Sequence, residues 1–222
     1  MKQCFKIYGV VLIAIMFLAV GCKKEATKDT IAVTTHEYVD LGLPSGTLWA
    51  TCNVGANNPE DRGDYFAWGE TAPKEVYDWA SYSYGDCVDN CFIMTKYCDD
   101  DSLSVLEPSD DAARANWGNE WRMPTMEEWE ELYQKTTYIW TEVNGVYGRL
   151  LTGYNGNSIF LPASGFRLNN GYFCPNLGLY WASTRHYSCT ERGWSYHFDH
   201  ETSHVCGTYE RNQGQVVRAV RR

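Results

Sequence analysis

Turn-forming residues interrupt the sequence at short intervals from Gly42 onward. Glycine and proline break regular elements, so the segments between them favour short strands over long helices. These residues recur in the first third and again later, at Gly42, Pro44, Gly46, Gly55, Pro59, Gly63, Gly69, Gly145, Gly148, Gly153, Gly156, Gly165, Gly171 and Gly178. The apolar segments between them predict strands at residues 38–41, 47–54, 159–162, 179–183, 194–199 and 216–220.

One helix is clearly indicated, starting after Thr125. Thr125 followed three residues later by Glu128 is the pattern of a capping box. Apolar side chains then recur at helical spacing, and the glutamates are expected to point away from that face. The apolar positions are Met126, Trp129, Leu132 and Tyr133, and the glutamates are Glu127, Glu128, Glu130 and Glu131.

A second, weaker helix is predicted at 109–117, with Asp110 and Asp111 in its first turn. Because strands and loops fill the rest and no alternating β–α–β order is visible, the sequence predicts an α+β fold. Residues 36–222 contain no low-complexity linker and read as one domain.

Composition restricts the partners. With 19 Lys and Arg against 28 Asp and Glu, the net charge is −9, which disfavours nucleic acid as a partner. Nine Trp, 16 Tyr and 8 Phe indicate a ring-rich interior or binding surface. The sequence has no glycine-rich phosphate loop, and we predict no cofactor.

The N-terminus has the pattern of a signal peptide. Lys2 and Lys6 form a basic region, and residues 7–20 are almost wholly apolar but short for a membrane-spanning helix of about 20 residues. The small residues before Cys22 resemble a bacterial lipobox, in which the cysteine is lipidated. The alternative is an ordinary secretory signal with a chance cysteine. We predict a lipoprotein signal peptide at 1–21, lipidation at Cys22, a tether at 22–35, and a lipid-anchored protein of the outer membrane or cell surface.

Seven cysteines remain outside the signal peptide and lipid site: Cys52, Cys87, Cys91, Cys98, Cys174, Cys189 and Cys206. An exported chain permits disulfides, but an odd number leaves at least one thiol without an internal partner. Cys87, Cys91 and Cys98 lack the short spacing typical of zinc sites, so we predict a structural pair or loop thiols there.

Several segments together resemble a known family. They are 38–50 (YVDLGLPSGTLWA), 63–70 (GDYFAWGE), 121–125 (WRMPT), 156–163 (GNSIFLPA) and 180–183 (YWAS). In this order they resemble the Fibrobacter succinogenes major paralogous domain, which is similar to the C-type-lectin-like fold of formylglycine-generating enzymes. The resemblance implies two helices flanking a twisted, mainly antiparallel sheet with long loops, and a first strand paired with the last.

The resemblance does not extend to the catalytic residues of the enzymes. Formylglycine-generating relatives use copper and a close pair of cysteines, whereas Cys174, Cys189 and Cys206 are widely spaced. The calcium-dependent sugar motifs of lectins are absent from the sequence. A metal site built from His197, Asp199, His200 and His204 is a minor alternative. We therefore predict no catalytic residues and no metal site, with a formylglycine-generating-type or other metal-dependent enzyme as the alternative.

The segment from 185 to 209 is rich in histidine, tyrosine and small polar residues, a composition found in adaptable binding loops. Within it Trp194, Tyr196 and Phe198 alternate with Ser195, His197 and Asp199, which predicts an inward ring face and a displayed polar face. The predicted ligand-binding residues are Arg185, His186, Tyr187, Ser188, Thr190, Ser195, His197, Asp199, His200, Ser203, His204 and Tyr209.

These features predict a surface-anchored recognition module for a protein or glycan ligand. Such a polar display, just before the last strand of a C-type-lectin-like lipoprotein, resembles that of proteins diversified by retroelement-based mutagenesis of adenines. The alternative is an undiversified paralogue with solvated loops. A fimbria-like subunit is a third hypothesis. It ranks last because donor-strand assembly needs an open groove or a detachable terminal strand, and the expected pairing of the first and last strands leaves neither.

Overall fold

Antiparallel strands make up most of the fold. The computed structural model describes residues 36–88 and 91–222, except for the side chains of 87, 88, 91 and 203–206, and all of these residues belong to one compact unit. The strands are β1 Tyr38–Asp40, β2 Leu48–Asn53, β3 Gly85–Val88, β4 Cys91–Met94, β5 Thr136–Val143, β6 Val146–Gly153, β7 Ser158–Pro162, β8 Phe166–Leu168, β9 Gly171–Phe173, β10 Gly178–Arg185, β11 Arg192–Phe198, β12 Ser203–Glu210 and β13 Arg218–Arg221. The helices are α1 Ala112–Trp117 and α2 Met126–Lys135, with a 3-10 turn at Trp79–Ser81.

The fold is mainly β, which corrects the α+β expectation. Only α1 and α2 are α-helical in the described part of the chain, with six and ten residues. All six predicted strands are present within two residues at each end. The unpredicted strands include β5 and β6, which form a long hairpin, and no residue of β5 is fully buried.

The first and last strands share a sheet but do not pair with each other. The order in this sheet is β1-β2-β13, so β2 lies between them and pairs with both. The direct pairing implied by the resemblance is therefore wrong, although the two ends of the domain do meet in one sheet. Two further three-stranded sheets have the orders β10-β11-β12 and β5-β6-β7.

Consecutive residues of the central strands enter two different cores. We call them the Trp129 core and the Trp68 core after the buried indole in each. On β10, Tyr180 packs in the Trp129 core and the next residue, Trp181, in the Trp68 core. Strands β2 and β13 divide their side chains in the same way. Since successive side chains of a strand point to opposite faces, these strands lie between two apolar layers.

Helix α2 begins as predicted, with one difference. The Thr125 side chain accepts a hydrogen bond from the Glu128 amide, and the Glu128 carboxylate accepts one from the Thr125 amide, as a capping box requires. Glu128 is nevertheless buried, because its carboxylate also accepts two hydrogen bonds from the Arg122 guanidinium at 2.5 and 2.6 Å and one from Thr47. The prediction that all four glutamates avoid the core is wrong at this position.

Helix α1 is shorter than predicted. It starts at Ala112, and Asp111 caps it by accepting a hydrogen bond from the Arg114 amide at 3.0 Å. Asp110 lies before the helix and binds Lys96 and the Tyr97 hydroxyl. Neither described helix is long and apolar enough to cross a membrane.

Four cysteines, Cys52, Cys98, Cys174 and Cys189, are free thiols. Cys174 and Cys189 are exposed, and Cys52 and Cys98 are half-buried. The side chains of Cys87, Cys91 and Cys206 lie outside the described residues, as do Cys22, the signal peptide and the tether.

Replacing Glu128 tests the buried pair. We expect Glu128→Gln to lower the free energy of unfolding by about 1–3 kcal/mol near pH 7, because the charged hydrogen bonds to Arg122 weaken. Burial alone would raise the pKa of Glu128, but the hydrogen bonds and charge of Arg122 outweigh it and lower that pKa. The stabilisation is therefore complete above the usual carboxyl pKa and lost as the pH falls through the lowered value, so the difference from wild type shrinks in acid.

Chemical denaturation across this pH range measures both effects. Glu127→Gln is the matched control, since Glu127 is exposed in the same helical turn. Equal losses for the two variants, or a difference that does not depend on pH, would contradict the assignment.

Candidate functional site

The predicted ligand residues fall at the two ends of strand β11. Residues 186–191 form the loop between β10 and β11, and residues 199–202 form the turn between β11 and β12. Seven extended residues separate the loop from the turn, which corresponds to about 20 Å. The structure therefore divides the predicted surface into a loop end and a turn end.

The middle of β11 is buried on both faces, which corrects the predicted polar display. Tyr196 and Phe198 pack in the Trp129 core as expected. On the other face, a Cβ added to Gly193 would meet the Trp68 ring at 2.7 Å. Ser195 is 1% exposed, and its hydroxyl donates to Gln215 Oε1 at 2.6 Å. Ser195 is thus an internal hydrogen-bonding residue rather than a displayed one.

Three further predicted residues already have partners within the fold. Two nitrogens of Arg185 each lie 3.1 Å from Asp99 Oδ1, and the Arg185 side chain is only 10% exposed. The Tyr209 hydroxyl lies 3.1 Å from His197 Nδ1, and both residues are half-buried. Burial raises the pKa of Tyr209 to about 12, so its hydroxyl stays protonated.

The loop end carries a group of three rings, of which Tyr187 is exposed and the other two are half-buried. We call His186, Tyr187 and Trp194 the ring cluster. The centroids of His186 and Tyr187 are 4.5 Å apart, and those of His186 and Trp194 are 4.8 Å apart. Trp194 also packs against the Trp129 core, whereas Tyr187 is 76% exposed. Trp194 therefore anchors the ring cluster to the core, whereas the Tyr187 ring lies in solvent.

His186 also holds the loop in shape. Its Nδ1 accepts hydrogen bonds from the amides of Ser188 and Cys189 at 3.3 and 3.0 Å. Only a neutral imidazole can accept at Nδ1. Burial, together with the nearby charge of Arg192, lowers the pKa of His186 and favours this neutral form.

Small polar side chains surround the ring cluster. Ser188 is exposed and Thr190 half-exposed on the same loop. Arg192 is exposed on β11 and donates to the carbonyl and hydroxyl oxygens of Thr208 at 3.3 and 3.4 Å. Aromatic rings bordered by hydroxyl and guanidinium groups suit contacts with a macromolecular ligand.

The turn end is shaped by Asp199. Its Oδ1 accepts hydrogen bonds from the amides of Glu201 and Thr202 at 2.8 and 2.7 Å. These hydrogen bonds, chiefly that from Thr202, lower the pKa of Asp199 and keep it ionised. The buried Arg149 donates to the carbonyl oxygens of Asp199 and Thr202, which fixes the turn against strand β6.

A cleft of about 280 Å³ opens beside this turn. It is lined by Trp140, Tyr147, Asn176, Asp199 and His200. The sequence predicted Asp199 and His200 as ligand residues but missed the other three. The alternation of Tyr138, Trp140 and Glu142 places Trp140 on one face of β5, but it gives no signal for Tyr147 on β6 or for Asn176 before β10.

The remaining predicted residues lie partly outside the described structure. The backbones of Ser203 and His204 pair with Phe198 and His197, and their side chains are not described. Within the described part of the chain, no group of three or more His, Cys, Asp or Glu side chains is placed to hold a metal ion. A metal site that includes the His204 side chain is not covered by this statement, because that side chain is not described.

Comparison with known proteins gives no relative: no family model, no curated protein and no solved structure matches this chain.

The His186 geometry predicts how the loop responds to pH. We expect NMR titration to give His186 a pKa below the usual value near 6.5. Amide hydrogen exchange at Ser188 and Cys189 should accelerate as the ring becomes protonated, because Nδ1 can then no longer accept. The contribution of His186 to stability is present above its usual pKa and lost as the pH falls through the lowered value. A pKa at or above the usual value would contradict this geometry.

Proposed function

We propose that this protein is a lipid-anchored recognition module of the bacterial outer membrane or cell surface. Its ligand is a protein or glycan held at the ring cluster of the loop end. In this proposal Cys22 carries the lipid, residues 22–35 form the tether, and the protein acts by binding rather than by catalysis.

The ring cluster, with Tyr187 exposed on its half-buried neighbours His186 and Trp194, is the observation that carries the proposal. The Tyr187 ring is stacked on His186 and is still 76% exposed, so most of its apolar area faces water. Aromatic side chains with few rotatable bonds supply much of the binding energy in protein interfaces. The His186 hydrogen bonds hold the loop in one shape before binding, which lowers the entropy cost of association.

The fold supports a C-type-lectin-like assignment within this proposal. Two helices accompany mainly antiparallel sheets, and strands β1 and β13 lie in one sheet with β2 between them, so the two ends of the domain meet there although the first and last strands do not pair. The loop at residues 186–191 and the turn at residues 199–202 leave the ends of β11 at the surface, while its middle is buried.

The arrangement also suits a diversified binding segment. Tyr187, Ser188 and His200 are exposed, so they can change without disturbing either core. Ser195 lies inside the fold and is not free to vary in this way. A near-copy of the 3′ coding region beside the gene, differing mainly at adenines, would support diversification.

The proposal is tested with the mature chain on a printed glycan array and a panel of purified mucins and matrix proteins. We expect Tyr187→Ala to weaken binding of the recognised ligand at least about tenfold, as for an aromatic hot spot. Tyr154→Ala is the control, because Tyr154 is 80% exposed in the turn after β6. No recognised ligand, or equal loss for both variants, would refute the proposed surface.

A further inference from the structure

We infer that the cleft beside the 199–202 turn is a binding site for a single neutral sugar ring. The site lies at the opposite end of β11 from the ring cluster. Three of its five lining residues come from outside the predicted ligand segment. It is therefore separate from the surface described under the proposed function. A negative binding result at one site does not refute the other site.

Two parallel aromatic rings form one wall of the cleft. Trp140 on β5 and Tyr147 on β6 have ring planes within 5° of each other and centroids 6.2 Å apart. Trp140 is held from below, edge to face, by the buried ring of Phe198 at 6.4 Å. Tyr147 is 49% exposed. The hairpin thus presents a supported aromatic surface to solvent, where the apolar face of a sugar ring would be removed from water on binding.

Polar groups also line the cleft, and the His200 ring packs edge to face against Trp140 with centroids 6.4 Å apart. Asp199 Oδ1 is engaged within the turn, whereas Oδ2 has no partner among the described hydrogen bonds and can accept from a hydroxyl. Asn176 is exposed, and its amide can both donate and accept. A ring with hydroxyl groups along its edge satisfies a carboxylate and an amide at the same time.

The charges around the cleft favour a neutral ligand. Asp199 stays ionised at the rim, which opposes phosphates and carboxylates. Directly behind it the guanidinium of Arg149 is fully buried and donates to the Asp199 carbonyl oxygen at 2.8 Å. That fixed positive charge opposes a cation such as choline, which two aromatic rings and a carboxylate would otherwise attract.

The volume sets the size of the ligand. About 280 Å³ lies just below the range of about 300–1,000 Å³ usual for drug-sized ligands. One hexopyranose ring, at the end of a chain or alone, suits this space.

The test is an NMR titration of the ¹⁵N-labelled mature chain. The probes are the methyl glycosides of glucose, galactose, mannose and N-acetylglucosamine, with choline chloride and inorganic phosphate as charged alternatives. We expect at least one glycoside to shift the Trp140 indole and Asn176 side-chain signals, saturating in the millimolar range. Trp140→Ala and Tyr147→Ala should each weaken that binding at least about tenfold.

Ile139→Ala is the matched control, because Ile139 is 58% exposed on the opposite face of the same strand, and it should leave the affinity unchanged. Tyr187→Ala should also leave it unchanged, which separates this site from the ring cluster. The inference is overturned if no glycoside shifts these signals up to about 50 mM. It is also overturned if choline or phosphate binds more tightly than every glycoside, or if Ile139→Ala weakens binding as much as Trp140→Ala.

Discussion

The burial of strand β11 between two apolar cores is the constraint on which the rest of the molecule depends. Trp129 stacks on Tyr196 from one side, with ring centroids 5.0 Å apart, while Trp68 covers Gly193 from the other. The Trp68 indole also donates to the Ala182 carbonyl oxygen on neighbouring β10 at 2.8 Å. With both faces covered, the middle of β11 has no surface to offer a ligand. The exposed residues lie at its two ends, in the loop with Arg192 before it and in the turn after it, and each end borders its own group of aromatic rings.

Buried arginines connect the separate sheets. Arg218 is fully buried and donates to Asn53 and to the carbonyl oxygens of Ala50, Thr51 and Phe160, which joins β13 to β2 and β7. Burying a charge is costly unless hydrogen bonds replace its water, and these carbonyl groups do so. Arg149 acts similarly between β6 and the turn after β11. The shape of the cleft therefore depends on a charge that is hidden from solvent.

Much of the framework could be predicted from the sequence. The six predicted strands and the Thr125 cap follow from local chemistry, in which glycine and proline set the turns and a threonine with a following glutamate starts a helix. What covers each face of a strand depends on residues far away in the chain. The alternation of ring and polar side chains therefore assigned the residues of β11 to its two faces correctly. It did not reveal that Gln215 covers Ser195 and that Trp68 covers Gly193. The partnership of β1 with β2, rather than with β13, likewise depends on long-range packing.

The candidate site was predicted in part for the same reason. His186, Tyr187, Asp199 and His200 lie at the surface, as their polar surroundings suggested, whereas Trp140 and Tyr147 reach the turn end only through the folding of a distant hairpin. The central claim is that β11 is fixed in the middle and open at its ends. Residue-resolved hydrogen exchange of the native protein tests it most directly. The Tyr196 amide should exchange orders of magnitude more slowly than the Tyr187 amide, close to the rate set by global unfolding. Similar exchange rates from Tyr187 through Phe198 would contradict the account.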